Sequence, residues 1–186
     1  MTAPRAPRRS DARSDDRRAA IIDRLADHVL AQGLEGSSLR PLAAAAGLSD
    51  RMLLYYFKDK AEVITAALNQ TSARLVGLLA QHTGREPLPL PQLHAKLVAV
   101  LFDDAIWPYQ RMWLEIVARA AQGDAFYKAT GEAMGRGFLA WGAAQLDSPT
   151  PEARARDAAK LMVMLEGMVL LRSIGLEDVC RQALDA

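Results

Sequence analysis

The chain has 186 residues, of which 51% are hydrophobic and 24% are charged, a composition typical of globular proteins. A chain of this length forms one domain or two small ones around a buried core, which excludes large barrel folds, fibrous architectures and wholesale disorder. Lys and Arg total 23 against 22 Asp and Glu, so the net charge of +1 identifies no partner.

The first predicted segment is a basic arm, residues 1–15, which carries almost no large apolar side chain and is expected to be disordered. From about Asp16 the apolar residues recur at the three-and-four spacing of an amphipathic helix. Gly33 is expected to end that helix.

Two short helices joined by a tight turn are predicted next. Ser38 is a candidate cap for the first, which carries Pro41 in its first turn, where the missing N–H breaks no helical hydrogen bond. Gly47 ends this helix, and Ser49 is a natural cap for the second, over residues 50–57. The spacing is typical of a helix-turn-helix.

The rest of the chain is also predicted to be helical. A longer helix follows Lys60 and ends near residue 84, and the three alternate prolines in residues 85–91 predict an extended connector. Apolar spacing predicts further helices over roughly 93–101, 113–120, 127–141 and 152–173, with a short final helix after residue 175.

No run of residues alternates with period two, so no strand is predicted. The expected fold class is therefore all-α, with about nine helices. A three-helix helix-turn-helix domain over residues 16–68 is followed by a helical bundle over residues 69–186.

The outer face of the second short helix holds the candidate functional residues. Apolar residues of the two short helices can pack together, which leaves the opposite face free to enter a DNA major groove. Side chains able to contact phosphates, base edges and thymine methyl groups lie on or around it: Arg40, Ser49, Asp50, Arg51, Met52, Tyr55, Tyr56 and Lys60. A helical scaffold or ligand-binding module without DNA binding is the alternative.

Residues 18–68 resemble the DNA-binding domain of the tetracycline repressor (TetR) family. The matching motifs are Ile22-x-x-Leu25-Ala26, Gly33, Ser38-Leu39-Arg40-x-Leu42-Ala43, Ala46-Gly47-Leu48-Ser49, Leu53-x-x-Tyr56-Phe57 and Lys60-x-x-Val63-Ile64. The resemblance implies an all-helical homodimer whose C-terminal domain binds an effector and dimerises. It also implies a transcriptional repressor that a small ligand releases from a palindromic operator.

The resemblance assigns roles to individual positions. Arg40 matches a DNA-contacting position, Asp50, Arg51 and Met52 match base-reading positions, and Tyr56 and Lys60 match phosphate-contacting positions.

One position departs from the family pattern, which usually has a tyrosine directly after the leucine that matches Leu53. Here that residue is Leu54 and Tyr55 follows, so either the phosphate contact is lost or Tyr55 makes it. Arg13, Arg17 and Arg18 either add salt-dependent phosphate contacts or belong to a solvated tail.

Aromatic and methionine side chains of the C-terminal two thirds are the candidate effector contacts. Such side chains suit an adaptable apolar pocket, although similar stripes also form ordinary core. The candidates are Phe102, Trp107, Met112, Trp113, Glu115, Met134, Phe138, Trp141, Met164 and Met168. For Glu115, and for Glu166 in the most apolar helix, an effector contact, an arginine partner and an exposed helix edge are all open.

The predicted partners are an operator in double-stranded DNA, a largely apolar effector, and a second copy of the chain bound through about residues 152–186. His28, His82 and His94 are isolated, and no glycine-rich phosphate loop is present. Cys180 is the single cysteine, which fits a reducing compartment. With no signal-like or membrane-spanning stretch, we expect a cytoplasmic protein that is not an enzyme and has no cofactor, metal or membrane partner.

Overall fold

A computed structural model describes residues 9–184 of the chain, and its side chains from residue 15 onward. Within that range the chain forms nine α-helices and no strand, which confirms the predicted all-α fold class. The helices are α1 Arg9–Gln32, α2 Leu39–Ala45, α3 Asp50–Tyr56, α4 Lys60–Thr83, α5 Leu90–Leu101, α6 Trp107–Ala121, α7 Ala125–Ala144, α8 Pro151–Ser173 and α9 Glu177–Leu184. Among them, none is both long and apolar enough to cross a bilayer.

The chain divides into two compact units at a boundary between Thr71 and Ser72, inside α4. In the first unit α2 packs against both α1 and α3. Its fully buried core is built from apolar side chains of all four helices: Leu25, Ala26, Val29, Leu42, Leu53, Phe57, Val63, Ala67 and Leu68. Burial of these side chains is the main force that holds the short helices in place, since helices of seven residues are not stable alone.

The turn between α2 and α3 is closed by its own backbone and by α1. Leu48 N–H donates to the Ala43 carbonyl at 2.9 Å and Gly47 N–H to the Ala44 carbonyl at 3.0 Å, the pattern of a Schellman motif. Gly47 has a φ of +70°, a left-handed conformation that residues with a β-carbon rarely adopt. The Arg24 Nη1 atom on α1 donates to the Ala46 carbonyl at 3.1 Å, which satisfies another carbonyl at the end of α2.

The second unit is a bundle in which α8 packs against α5, α6, α7 and α9, and α6 packs against α7. Its core includes Leu93, Leu97, Leu146, Leu161, Leu165 and Cys180. Cys180 is 1% exposed, and its Sγ lies 3.9 Å from the Met168 carbonyl oxygen. The segment before α5 is held to the end of α7 because Leu88 N–H donates to Gln145 and Asp147 N–H donates to Leu88.

Three helices begin earlier than the sequence pattern predicts. Helix α6 begins at Trp107 rather than near residue 113, because Pro108 lies in its first turn, where no N–H is needed. Helix α1 begins at Arg9, inside the predicted arm, and residues 1–8 lie outside the described residues. A helix nucleated by its packed half extends at small cost over charged residues and alanine, although such residues give no apolar periodicity. Helix α5 begins at Leu90, inside the predicted connector, because Pro91 lies in the first turn, where no N–H is needed.

The predicted cap at Ser38 is only partly correct. Ser38 occupies the cap position of α2 with an extended backbone, but its side chain makes no capping hydrogen bond. The neighbouring Ser37 is buried and donates its hydroxyl to the Gly33 carbonyl at 2.6 Å. This bond ties the segment before α2 to the end of α1.

We expect the Gly47→Ala substitution to lower the free energy of unfolding by about 1 kcal/mol or more, because a residue with a β-carbon is strained at this φ. The added carbon would also lie 3.2 Å from Arg24 Nη1. Gly77 is the matched control, since it lies inside α4 with open space around its Cα, and Gly77→Ala should stabilise by about 0.5–1 kcal/mol. Urea unfolding followed by circular dichroism checks both signs; equal shifts would contradict the role assigned to Gly47.

Candidate functional site

Helix α3 is held by its inner face and by its first turn. Leu53 and Phe57 are 0% and 1% exposed, which fixes the side of the helix that faces the core. The Ser49 Oγ atom accepts a hydrogen bond from Met52 N–H at 3.3 Å, so the predicted cap at Ser49 is confirmed. Asp50 in the first turn is also favourable, because a negative charge there complements the helix dipole.

The opposite face of α3 is open to solvent. Asp50 and Arg51 are exposed, and Met52 is 40% exposed. Tyr55 is 78% exposed and meets the half-buried Tyr56 edge-on, with ring centroids 5.4 Å apart. Four of the eight predicted site residues therefore project from one short helix, with Tyr56 at its edge.

Residues on either side of α3 extend this surface. Arg40 on α2 and Lys60 at the start of α4 are both exposed. Sequence reasoning did not select Lys58, which is exposed between α3 and α4 and adds a third basic side chain. A signal was available, because Lys58 stands two residues before the predicted phosphate contact at Lys60. Leu54, the departure from the family pattern, is 42% exposed.

The start of α4 is fixed by two acidic side chains. Asp59 accepts a hydrogen bond from Glu62 N–H at 2.9 Å, and Glu62 accepts one from Lys58 N–H at 2.7 Å. Glu62 also pairs with Arg18 at 3.1 Å, and the Arg18 guanidinium lies 4.8 Å from the centroid of the Phe57 ring. Arg18 is thus engaged within the first unit, whereas Arg17 is exposed and the Arg13 side chain lies outside the described part.

In the second unit, two predicted effector contacts surround an arginine. The Arg172 guanidinium lies 4.9 Å from the Trp107 ring centroid and 5.8 Å from that of Phe102. It donates to the Leu101 carbonyl at 2.6 Å and to Gln110 Oε1 at 3.2 Å, and its side chain is 9% exposed. Both rings therefore have a cationic partner inside the protein, and their role in effector binding stays a prediction.

A second polar pair lies where α6, α7 and α8 meet. The Trp113 indole Nε1 donates to Glu166 Oε2 at 2.7 Å, and both side chains are half-buried. Burial raises the pKa of the Glu166 carboxyl above its usual value of 4.5, and the indole hydrogen bond opposes that rise. Sequence reasoning left the partner of Glu166 open, and the structure identifies it as an indole.

The remaining predicted effector contacts are spread over the second unit and its surface. Met112 and Met168 are buried, and Met164 is 36% exposed. Phe138 and Trp141 pack against each other with centroids 5.4 Å apart and line the core of the second unit. Glu115 and Met134 are half-buried. In the part of the chain that was searched, no group of three or more His, Cys, Asp or Glu side chains is placed to hold a metal ion.

Comparison with known proteins identifies similar sequences and structures. Residues 21–67 match the family model for bacterial regulatory proteins of the tetR family. The HTH-type transcriptional regulator BetI of Burkholderia thailandensis is 27% identical over 158 residues, which cover 83% of this chain and 80% of that protein.

Two solved structures share the fold over most of their length. A transcriptional regulator from Rhodococcus sp. Rha1 has a TM-score of 0.66 and 25% identity, covering 90% of this chain and 91% of that chain. The multidrug binding protein EbrR, complexed with proflavin, has a TM-score of 0.61 and 23% identity, covering 91% and 98%. These matches span both units of the chain.

The raised pKa of Glu166 predicts a pH-dependent stability difference. The folded state binds the proton of the Glu166 carboxyl more tightly than the unfolded state does. The free energy of unfolding therefore falls as the pH rises from 4.5, the usual pKa, and levels off above the raised pKa of the folded state. Glu166→Gln keeps an acceptor for the indole and removes the titration. We expect the variant to have a higher Tm than the wild type at pH 7.5 and a smaller advantage at pH 4.5, measured by differential scanning calorimetry. A difference independent of pH would contradict the assignment.

Proposed function

We propose that the chain is a member of the tetR family of bacterial regulatory proteins and a ligand-responsive repressor that binds a palindromic operator as a homodimer. The observation that carries the proposal is the arrangement of α3, whose inner side chains are buried while Arg51, Met52 and Tyr55 project into solvent. A helix presented in this way fits the major groove of B-DNA.

The exposed side chains of α3 and its neighbours divide into two proposed roles. Arg51 and Met52 read base edges, because an arginine can pair with guanine and an apolar side chain can contact a thymine methyl group. Arg40, Tyr56 and Lys60 bind phosphates and set the position of the helix on the duplex. We propose that Tyr55, which is exposed, makes the phosphate contact that Leu54 cannot make.

A homodimer is proposed through α8 and α9. Val163, Leu170 and Ile174 are 73%, 55% and 64% exposed, and with Gly167 they follow the four-and-three spacing of a single helix face. Val179 on α9 is 40% exposed. A row of exposed apolar side chains of this kind is typical of a surface that a second protein covers. Two copies would present two α3 helices to successive major grooves, about 34–36 Å apart or at a multiple of that distance.

Release by a small effector is proposed for the second unit. EbrR, which has the same fold, binds proflavin, and the second unit carries the aromatic and methionine side chains that suit an apolar ligand. The effector lowers operator affinity to the extent that it binds more tightly to a conformer with a different spacing of the two α3 helices. A coupling free energy of about 1–3 kcal/mol is typical of such a link.

Base-reading and phosphate-binding roles predict different salt dependences. With an operator recovered from genomic fragments that the purified protein retains, Arg51→Ala should weaken binding by about 1–3 kcal/mol and relax sequence preference. Lys60→Ala should weaken binding to all sequences and lower the salt slope by about one. Fluorescence anisotropy titrations at several salt concentrations measure both.

Arg136→Ala is the matched control, because Arg136 is exposed on α7 and pairs only with Glu132 among the described residues. The operator affinity of the Arg136→Ala variant should equal that of the wild type. Unchanged affinity in the Arg51 and Lys60 variants would contradict the proposed DNA surface, and failure to retain any duplex would favour a module that does not bind DNA.

The proposed dimer predicts that a charge introduced on the exposed apolar face of α8 prevents dimerisation. Leu170→Glu should give monomers in light scattering, because burial of a carboxylate among the apolar side chains of the proposed interface is costly. Lys128→Glu, on the exposed face of α7, changes charge without touching that face and should remain dimeric. A Leu170→Glu variant with the mass of a dimer would place the interface elsewhere.

A further inference from the structure

An acidic side chain, Glu62, lies beside two basic residues of the candidate DNA surface. Lys58 and Lys60 precede it on the chain, and both lysine side chains are exposed. Neither lysine forms an ion pair with another described residue, so both ammonium groups are available to phosphates. A carboxylate near bound phosphates repels them and, by its charge alone, weakens binding. The contacts of Glu62 therefore have to explain why an acidic residue stands here.

Both oxygen atoms of the Glu62 carboxylate have partners. Oε2 accepts a hydrogen bond from Lys58 N–H at 2.7 Å, and Oε1 accepts one from Arg18 Nη2 on α1 at 3.1 Å. Asp59, the residue before α4, accepts a hydrogen bond from Glu62 N–H at 2.9 Å. The two acidic residues together satisfy backbone donors at the start of α4, as the members of a capping box do. The backbone of residues 58–62 is thus fixed by side chains and tied to α1.

Arg18 also contacts the other end of the connection between α3 and α4. Its guanidinium lies 4.8 Å from the centroid of the Phe57 ring, and Phe57 is the 1% exposed residue that directly follows α3. One arginine of α1 therefore contacts a buried ring where the connection begins and a carboxylate where it ends. This arrangement differs from both sequence-based interpretations of Arg18, a phosphate contact and a member of a solvated tail.

We propose that Arg18 and Glu62 are positioning residues for operator binding, which hold Lys58 and Lys60 where these lysines bind phosphates. The inference rests on the proposed function and gives an acidic residue a favourable effect on binding to a polyanion. A side chain that is already held in place loses less conformational entropy on binding than a mobile one. The Arg18 and Glu62 side chains are 41% and 42% exposed, and an ion pair so exposed adds little to the stability of the fold. Its main effect is therefore on DNA binding.

The direction of the change in operator affinity of Glu62→Ala is the first test. A carboxylate that acts only by repelling phosphates would give tighter binding when removed. The positioning role predicts the opposite, a weakening of about three- to tenfold, the factor that corresponds to ordering one long side chain on binding. Fluorescence anisotropy with the recovered operator measures the affinity. Calorimetry should show a Tm lowered by less than about 4 °C, so the variant is folded during the titration.

Double-mutant cycles separate positioning from a general loss of structure. Lys60→Ala should weaken operator binding by a smaller factor in Glu62→Ala than in the wild type, because Lys60 is no longer held in place. A merely structural role of Glu62 would leave the two factors equal. Arg18→Ala should change the affinity of Glu62→Ala by no more than about twofold. A direct phosphate contact of Arg18 would instead weaken binding in that background and lower the salt slope by about one.

The matched control is Glu35→Ala, which removes the same charge from an exposed position between α1 and α2 in the same unit. This substitution should not weaken operator binding. It should also leave the factor for Lys60→Ala unchanged.

Amide hydrogen exchange at Lys58 gives a readout that needs no DNA. Glu62→Ala removes the acceptor of this N–H and should accelerate its exchange, whereas Glu35→Ala should not. Unchanged exchange in Glu62→Ala would overturn the proposal.

Two results of the titrations would also overturn it: tighter or unchanged operator binding by Glu62→Ala, or equal factors for Lys60→Ala in the two backgrounds. These results are distinct from failure of the proposed function. A wild type that retains no duplex refutes the repressor and this inference with it, whereas a wild type that binds its operator no better than Glu62→Ala refutes this inference alone.

Discussion

The burial of Leu53 and Phe57 is the constraint on which the candidate DNA surface depends. Helix α3 has only seven residues, too few to be stable alone, so its position is set by these two side chains and by the closed turn before it. Because one face of such a helix is fixed against the core, the direction of the opposite face follows. Arg51 and Tyr55 are exposed for the same reason that Leu53 is buried.

Two ionisable side chains of α8, Arg172 and Glu166, differ in the number of partners that the second unit provides. Arg172 is nearly buried, yet carbonyl, amide, carboxylate and aromatic partners from α5, α6, α9 and the segment between α5 and α6 surround it, so it joins the ends of several helices. Glu166 lies fewer than two turns away on the same helix, and among the described residues its hydrogen bond comes from the Trp113 indole. Removal of the partners of a buried charge is destabilising, so the contacts of Arg172 are expected to contribute to the stability of the second unit.

Local patterns in the sequence were enough to predict the helices, the turn and the face of α3. Gly47 and Ser49 were identified correctly because a left-handed turn and a helix cap each require particular residue types at one position. The prediction for Pro91 was wrong because proline is as compatible with the first turn of a helix as with an extended connector. The predicted start of α1 was wrong because a charged helical extension carries no apolar stripe. The hydrogen bonds from Arg18 to Glu62 and from Arg172 to Leu101 were beyond prediction, since they join residues 44 and 71 positions apart and depend on tertiary packing.

The sequestered thiol of Cys180 makes the molecule convenient for spectroscopy. It is the single cysteine of the chain and is 1% exposed, so reagents that need an accessible thiolate have no competing native target on the folded surface. A nitroxide or fluorophore attached through a cysteine introduced on the outer face of α3 would therefore occupy one defined position in each copy. In the proposed dimer, the separation of two such labels would report directly how far apart the two α3 helices lie, with and without a bound effector.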